Sequence, residues 1–226
     1  MKQISQKIFF LISLFVVFIP SFSQAQSIEA PKYVIGDSWE YTTVDLWTNK
    51  IAQNTVHTIV GLVDEFVRVK FDTRNADPST GQLGKLEISQ GTQRADFTFT
   101  YASKGKLGKR VTYLWPLQVG KKWHDDFISE IRQNDGRLLQ FANSNDAVVT
   151  GWEAVDTPVG KIQAIKIVHT NTITNTAGDE APSTSVTTYW YAPSAKRHIR
   201  SEYKQVNSDG TPGTRTLSNL VSYKVN

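Results

Sequence analysis

From Pro31 onward the apolar side chains tend to return at every second residue, and no long stretch repeats them every third or fourth. That period belongs to strands with one buried face. Trp39, Tyr41, Thr43, Asp45 and Trp47 share one parity, Val67, Val69 and Phe71 form a second stripe, and Phe97, Phe99 and Tyr101 alternate with Asp96, Thr98 and Thr100. The second half predicts five strands, near 146–156, 161–174, 184–192, 197–206 and 215–225. They are separated by Thr157-Pro158-Val159-Gly160, Ala177-Gly178-Asp179, Pro193-Ser194-Ala195-Lys196 and Asp209-Gly210-Thr211-Pro212-Gly213. Proline fixes φ and glycine permits a positive φ, so each of these is a place to reverse the chain. Asn134-Asp135-Gly136 predicts one further hairpin. Connections this short join antiparallel neighbours. The expected fold is therefore all-β, mostly antiparallel, a curved sheet or half-barrel meander with room for one short helix. The candidate helix is Trp123 to Ile131, where Trp123, Phe127, Ile128 and Ile131 would line one helical face.

Residues 74–84 are the longest polar, breaker-rich stretch and read as a surface loop. Gly36-Asp37-Ser38-Trp39 and Gly120-Lys121-Lys122-Trp123 repeat a Gly-x-x-Trp pattern about half a chain apart. On sequence alone, duplication and chance explain that recurrence equally well, and no longer self-similarity is visible.

The N-terminus changes the picture of where this sheet works. Lys2 and Lys7 precede an apolar run from Ile8 to Ile19, followed by Pro20 and the small-residue site Ser23-Gln24-Ala25. This is the layout of a cleavable export signal. The run is too short for a membrane span, which needs roughly 20 residues. The expected organisation is a signal peptide over 1–25, cleaved after Ala25, and a single β-rich domain over 26–226, located in the periplasm or secreted and not integral to the membrane after cleavage. Removing the leader takes away two lysines and no acid, so the formal charge falls from +4 to +2. A balance that small gives no reason to expect nucleic acid as a partner.

The chain has no cysteine, which excludes disulfides, thiol nucleophiles and thiolate metal sites. Its stability has to come from burial, and its six tryptophans all follow the leader. Gly-x-Ser-x-Gly, Gly-x-x-x-x-Gly-Lys and His-Glu-x-x-His are absent. Two Ser-x-x-Lys matches, Ser103–Lys106 and Ser201–Lys204, fall in loop or strand sequence, where residues three apart face opposite ways. His124-Asp125-Asp126 is the densest ligand cluster and reads as a solvated loop. Lys104, Lys106, Lys109 and Arg110 read as a charged hairpin tip. No metal, no cofactor and no catalytic set is expected, and the chain is not expected to be an enzyme.

Tyr189-Trp190-Tyr191 sends aromatic rings to both faces of one strand. Either the strand is central and covered on both sides, or one face lines a ligand cavity of a curved sheet. The candidate binding residues are Trp39, Tyr41, Trp47, Trp123, Tyr189, Trp190 and Tyr191.

The run Thr157-Pro158-Val159-Gly160-Lys161-Ile162-Gln163-Ala164-Ile165-Lys166-Ile167, with Tyr189-Trp190-Tyr191-Ala192-Pro193 and Arg197 after it, resembles the exported bacterial domains of unknown function numbered 3108. The resemblance covers about residues 146 to 205. It implies a curved antiparallel sheet similar to the half-barrel carriers that shuttle lipoproteins or lipids through the periplasm, and it brings no active residues with it. The expected function is an exported binding domain of the envelope that holds a lipid or other apolar or amphipathic ligand in a curved sheet. Two rivals stand beside it. One is a structural module that holds an envelope protein and has no ligand; the other is a cell-wall hydrolase working through two carboxylates.

Overall fold

The computed structural model describes residues 27–103, 106–133, 135–178 and 181–226. The expected leader over 1–25, with Lys104 and Gly105 of the basic stretch, lies outside them. The strands are β1 (Ser38–Asp45), β2 (Lys50–Val63), β3 (Phe66–Asn75), β4 (Glu87–Arg94), β5 (Thr98–Ser103), β6 (Lys106–Val111), β7 (Lys122–Arg132), β8 (Leu138–Thr157), β9 (Gly160–Asn175), β10 (Ser183–Ala192), β11 (Arg197–Val206) and β12 (Pro212–Lys224). Ten of them form one antiparallel sheet in the order β4-β3-β2-β1-β12-β11-β10-β9-β8-β7, and β5 and β6 pair as a separate hairpin. The sheet is curved and does not close into a barrel. All five strands expected in the second half are present, with turns where proline and glycine marked them.

The short helix that the sequence leaves room for is not formed. Trp123 to Ile131 is not a helix but lies within β7, paired residue for residue with β8 from Lys122↔Val148 to Arg132↔Leu138. In this nine-residue segment Trp123, Phe127 and Ile131 fit both periods, and the backbone pairing offered by β8 decides between them. Among the described residues the one helical piece is a single 3₁₀ turn, Pro193–Ala195.

Residues 95–121 run from the β4 edge of the sheet to the β7 edge and cross one face on the way. We call this segment the strap and the face it covers the inner face. Its rings meet the sheet's rings edge-on. Tyr113 lies 5.3 Å and Trp115 5.1 Å from Tyr191 of β10, and within the strap Phe97 lies 5.5 Å from Tyr113. Leu117 exchanges two backbone hydrogen bonds with Ile28, at 2.8 and 2.9 Å. Trp39, Tyr41, Ile59, Val69, Tyr113, Leu117, Ile167, Tyr191 and Leu220 are buried in this one core. A curved sheet needs filling on its hollow side, and here an aromatic strap supplies it.

The two Gly-x-x-Trp pieces prove to be equivalent places in two four-stranded units. In the first, Gly36 N–H donates to Ile59 O, Asp37 N–H to Val34 O, and Ile59 N–H to Asp37 O. In the second, Gly120 N–H donates to Val149 O, Lys121 N–H to Gln118 O, and Val149 N–H to Lys121 O. Gly36 (φ 95°) and Gly120 (φ 86°) both take the left-handed turn that leads into the strand. Each unit then has a bulge at the same point, Ile59/Gly61 and Val149/Gly151. The registers coincide beyond it, Trp39↔His57↔Phe71↔Ser89 against Trp123↔Ala147↔His169↔Thr187, and Tyr41↔Thr55↔Thr73 against Asp125↔Asn145↔Asn171. β1–β4 and β7–β10 are thus two copies of one plan, with β11 and β12 inserted between them in the sheet.

Candidate functional site

The first unit fills its inner face mainly with rings and apolar groups, beside the paired hydroxyls of Thr55 and Thr73 at 3.0 Å. Trp39 is fully buried and its indole N–H donates to Ala195 O at 2.6 Å. Tyr41 donates its hydroxyl hydrogen to His198 O at 2.9 Å and stacks on the His198 ring at 5.1 Å. Arg197 is buried between Trp39 and Phe97, 4.7 and 4.9 Å from the ring centroids, and donates from Nη1 to His57 Nδ1 at 2.9 Å. A guanidinium can only donate, so the His57 ring is neutral at that nitrogen. Burial, with Arg197 next, pushes both His57 and His198 down to about 3.

The second unit places polar groups at the equivalent positions. Asp125, Asn145 and His169 stand where the first unit has Tyr41, Thr55 and Phe71. His169 Nε2 lies 3.0 Å from Thr112 O in the strap, a carbonyl that can only accept, so Nε2 carries the proton. Nδ1 then accepts from Asn145 Nδ2 at 3.2 Å. The other hydrogen of that amide goes to Asp125 Oδ2 at 3.0 Å. Burial foremost, then the charge of Arg110, brings His169 down to about 4, and burial raises Asp125 above the usual carboxylate range. Beside this ladder, Asn143 donates to Ser129 Oγ at 3.0 Å and Phe141 O at 2.9 Å, and receives the Asn171 amide at 3.0 Å.

Ser129, Asn143, Asn145, His169 and Asn171 border a cleft of about 200 Å³ on the inner face. Its walls include Arg110, Asn143, His169, Asn171, Ser185 and Thr187, with the Phe127 and Tyr203 rings at its sides. Behind these walls two acceptor atoms, Asp125 Oδ1 and Asn171 Oδ1, are buried without a hydrogen-bond partner. Such atoms are uncommon in folded proteins and call for an explanation.

The seven residues expected from the sequence go to three places. Trp39, Tyr41, Trp123, Tyr189 and Tyr191 share the inner face, where Trp123 donates its indole N–H to Val111 O of the strap at 2.9 Å and Tyr189 packs on His169 at 5.6 Å. Trp190 points to the outer face, beneath the Lys166 and Arg200 side chains, with its N–H on Glu153 Oε2 at 2.7 Å. Trp47 lies beyond the end of β1 and is 58 % exposed, its N–H on Gly213 O. Residues bordering the cleft, Arg110, Asn143, Asn145, His169, Asn171, Ser185, Thr187 and Tyr203, were not singled out as binding residues. Their signal was a set of amides and hydroxyls at core parity in the second unit, legible only against the rings of the first. His124-Asp125-Asp126 is strand rather than loop, and alternation splits it. Asp125 turns inward, while His124 stays outside, 2.9 Å from Asp146 and 3.2 Å from Asp126, which together raise its pKa. Among the described residues no three potential ligands gather as a metal site, and no helix is long and apolar enough to cross a membrane.

No family model matches the chain, so the resemblance to the 3108-type domains has no support from that comparison. No curated protein matches it either. Among solved structures the chain is similar to a Bacteroides fragilis protein with a YmcC-like fold, described as exported. Identity there is 15 %, 88 % of this chain and 100 % of the other are covered, and the TM-score is 0.46. A Parabacteroides distasonis protein described as a lipoprotein aligns at 13 % identity over 88 % of this chain and 100 % of its own, with a TM-score of 0.44. The lipoprotein YmcC of Escherichia coli aligns at 9 % identity over 84 % and 85 %, with a TM-score of 0.39. Likenesses of this grade carry no residue, ligand or location across to this chain.

Proposed function

We propose that this is an extracytoplasmic binding protein that holds a small amphipathic ligand in a cleft of its inner face, between the sheet and Arg110 of the strap. The observation that carries the reading is the division of that face. Rings fill one part, and the other holds a polar cleft bordered by the Phe127 and Tyr203 side chains. Convergent polar groups beside apolar walls are the usual make-up of a small-molecule site. Export rests on the N-terminal Lys2 to Ala25 pattern.

The cleft favours a binder over a catalyst. His169 has both nitrogens committed, and the one carboxyl of its ladder, Asp125, is raised by burial. A two-carboxylate hydrolase needs a second acid roughly 5 to 9.5 Å away across the cleft, and none lines it among the described residues. Native mass spectrometry of protein purified from its own envelope tests the proposal. The expected result is an added mass released on denaturation; protein that stays at bare mass, and takes up nothing from an envelope extract, would end it.

The rival reading, a module that docks a protein partner, is favoured by the unpaired outer edge of β4 and by exposed Leu62, Val63 and Phe66 at the β2–β3 turn. Co-purification of one stoichiometric protein, with an empty cleft, would select it.

A further inference from the structure

The outer edge of β4 is open, and the ladder with β3 says which backbone groups it offers. Ala95 N–H donates to Glu65 O at 2.9 Å, one rung beyond Phe66↔Arg94, and the register then runs without a shift to Thr73↔Glu87. Bonding alternates along an antiparallel strand. Glu87, Ser89, Gly91 and Gln93 therefore bond to β3, while Ile88, Gln90 and Thr92 turn their N–H and C=O groups away from it. Among the described residues nothing takes these groups up. The Ile88 side chain on this edge is 64 % exposed. Open edges are usually blunted by lysine, proline, a bulge or a cover, yet from Ile88 to Gln93 the strand has no charge, no proline and no bulge.

The duplicated plan shows what such an edge accepts. With Ser89 at the place of Thr187, β4 corresponds to β10 and Ile88 to Val186. The far edge of β10 is occupied, since β11 pairs with it antiparallel through Val186↔Lys204 and Thr188↔Glu202. Val186 is half-buried as a result, whereas Ile88 stands in solvent. The fourth strand of this plan is built to carry an antiparallel neighbour, and in the first unit no described strand of the chain supplies one.

We infer that the missing neighbour is β4 of a second copy, joined about a twofold axis at Ser89. Such a pair has to match outward backbone groups with outward ones, so Ile88, Gln90 and Thr92 must face one another's positions. The axis at Ser89 meets that condition and opposes Ile88 with Gln90, Glu87 with Gly91 and Lys85 with Gln93. No like charges face each other, and the two Ile88 side chains lie diagonal on the outer face, where each covers the other. An axis at Ile88 would bring the two Glu87 side chains together instead, and one at Gln90 would part the isoleucines. The contact uses the same surface on both copies, so it closes at a dimer. This goes beyond the binding reading and does not rest on it, because the cleft is lined from β6 to β11.

Sedimentation velocity of the whole exported protein across the micromolar range should show a concentration-dependent dimer. The absence of cysteine makes Ser89→Cys a clean reporter of register. Directly opposed residues of a non-hydrogen-bonded pair have Cα atoms about 4.5 Å apart, within disulfide reach. Mild oxidation should therefore link Ser89→Cys into a covalent dimer and leave the exposed Ser208→Cys control unlinked. Ile88→Lys adds an edge charge, and Gln90→Pro removes only an outward N–H. Each should weaken dimerisation roughly tenfold or more, with thermal melting showing the variants folded. Should Gln90→Pro fail to fold, Ile88→Lys decides. A chain that stays monomeric throughout, a dimer unmoved by folded Ile88→Lys, or Ser208→Cys linking as readily as Ser89→Cys would each overturn the inference. So would a different protein that co-purifies and is released by Ile88→Lys, which would give the edge to the rival partner reading. A monomer that carries a bound ligand would leave the binding-protein reading standing and remove this inference alone.

Discussion

Buried histidines give this protein an acid weakness that belongs to individual residues. His57 and His198 sit at about 3 and His169 at about 4, all driven first by burial. The unfolded chain takes up a proton on each near the ordinary value of 6.5, while the folded state does not. Falling pH therefore favours unfolding from about 6.5 downward, and the loss stops only when the folded rings protonate. By pH 5 each costs about 2 kcal/mol, so the three together rival the whole stability of a typical domain. Melting temperature should fall steeply between pH 7 and pH 5, and His169→Gln should shallow that slope by about a third; a flat profile would contradict the burial assigned to these rings. Asp37 is a second residue on which much depends. It is fully buried and receives Val34 N–H, Lys196 Nζ and Asn226 N–H at 2.8 to 3.0 Å. Asp37→Ala leaves those donors stranded and should cost about 3 kcal/mol, readable by denaturant titration.

At the scale of elements, most of the sheet could be read from the sequence. Pro158 with Gly160, Gly136 and Gly210 with Pro212 mark reversals that the structure makes, because φ restriction is a property of the residue itself. The segment from Trp123 to Ile131 could not be settled so locally. Trp123 and Phe127 are four residues apart, so they share a face in either a helix or a strand, and only pairing with β8 sends Ile128 to the other side. Glycine 108 shows the same dependence on distant chain. A Cβ there would lie 2.6 Å from the Phe127 Cα and 3.0 Å from the Asp126 carbonyl oxygen. Gly108→Ala should thus lift β6 off β7, lower stability by about 1–3 kcal/mol, and speed proteolysis within residues 95–121; unchanged cleavage would mean that β6 lies further from β7 than this packing requires.

For the whole molecule, the duplicated plan does not make two independent domains. The first unit's Tyr33, Trp39 and Tyr41 give their polar hydrogens to the carbonyls of Lys196, Ala195 and His198, and β1 takes β12 as its neighbour. Each of these contacts spans well over a hundred residues of sequence. A fragment of residues 27–94 therefore lacks both its strap and its partners and should be unfolded by circular dichroism, whereas the full chain should melt in a single transition. A cooperative melt of the fragment alone would show that the units are autonomous.

Alternation of apolar and polar residues, with its turn signals, determined the strand count of the second half, the antiparallel order and an aromatic core, because period and φ preference are carried by each residue and its immediate neighbours. The face each ring would occupy was only partly determined. Trp190 and Trp47 left the inner set because strand parity and the end of β1 placed them elsewhere. What only the tertiary structure decided is the strap's path across the sheet, the equivalence of the two units, and the cleft. Those depend on which strands pair and in what register, so Asn145 of β8 and His169 and Asn171 of β9 meet Phe127 of β7 and Ser185 and Thr187 of β10 around one cleft only when the four strands lie side by side.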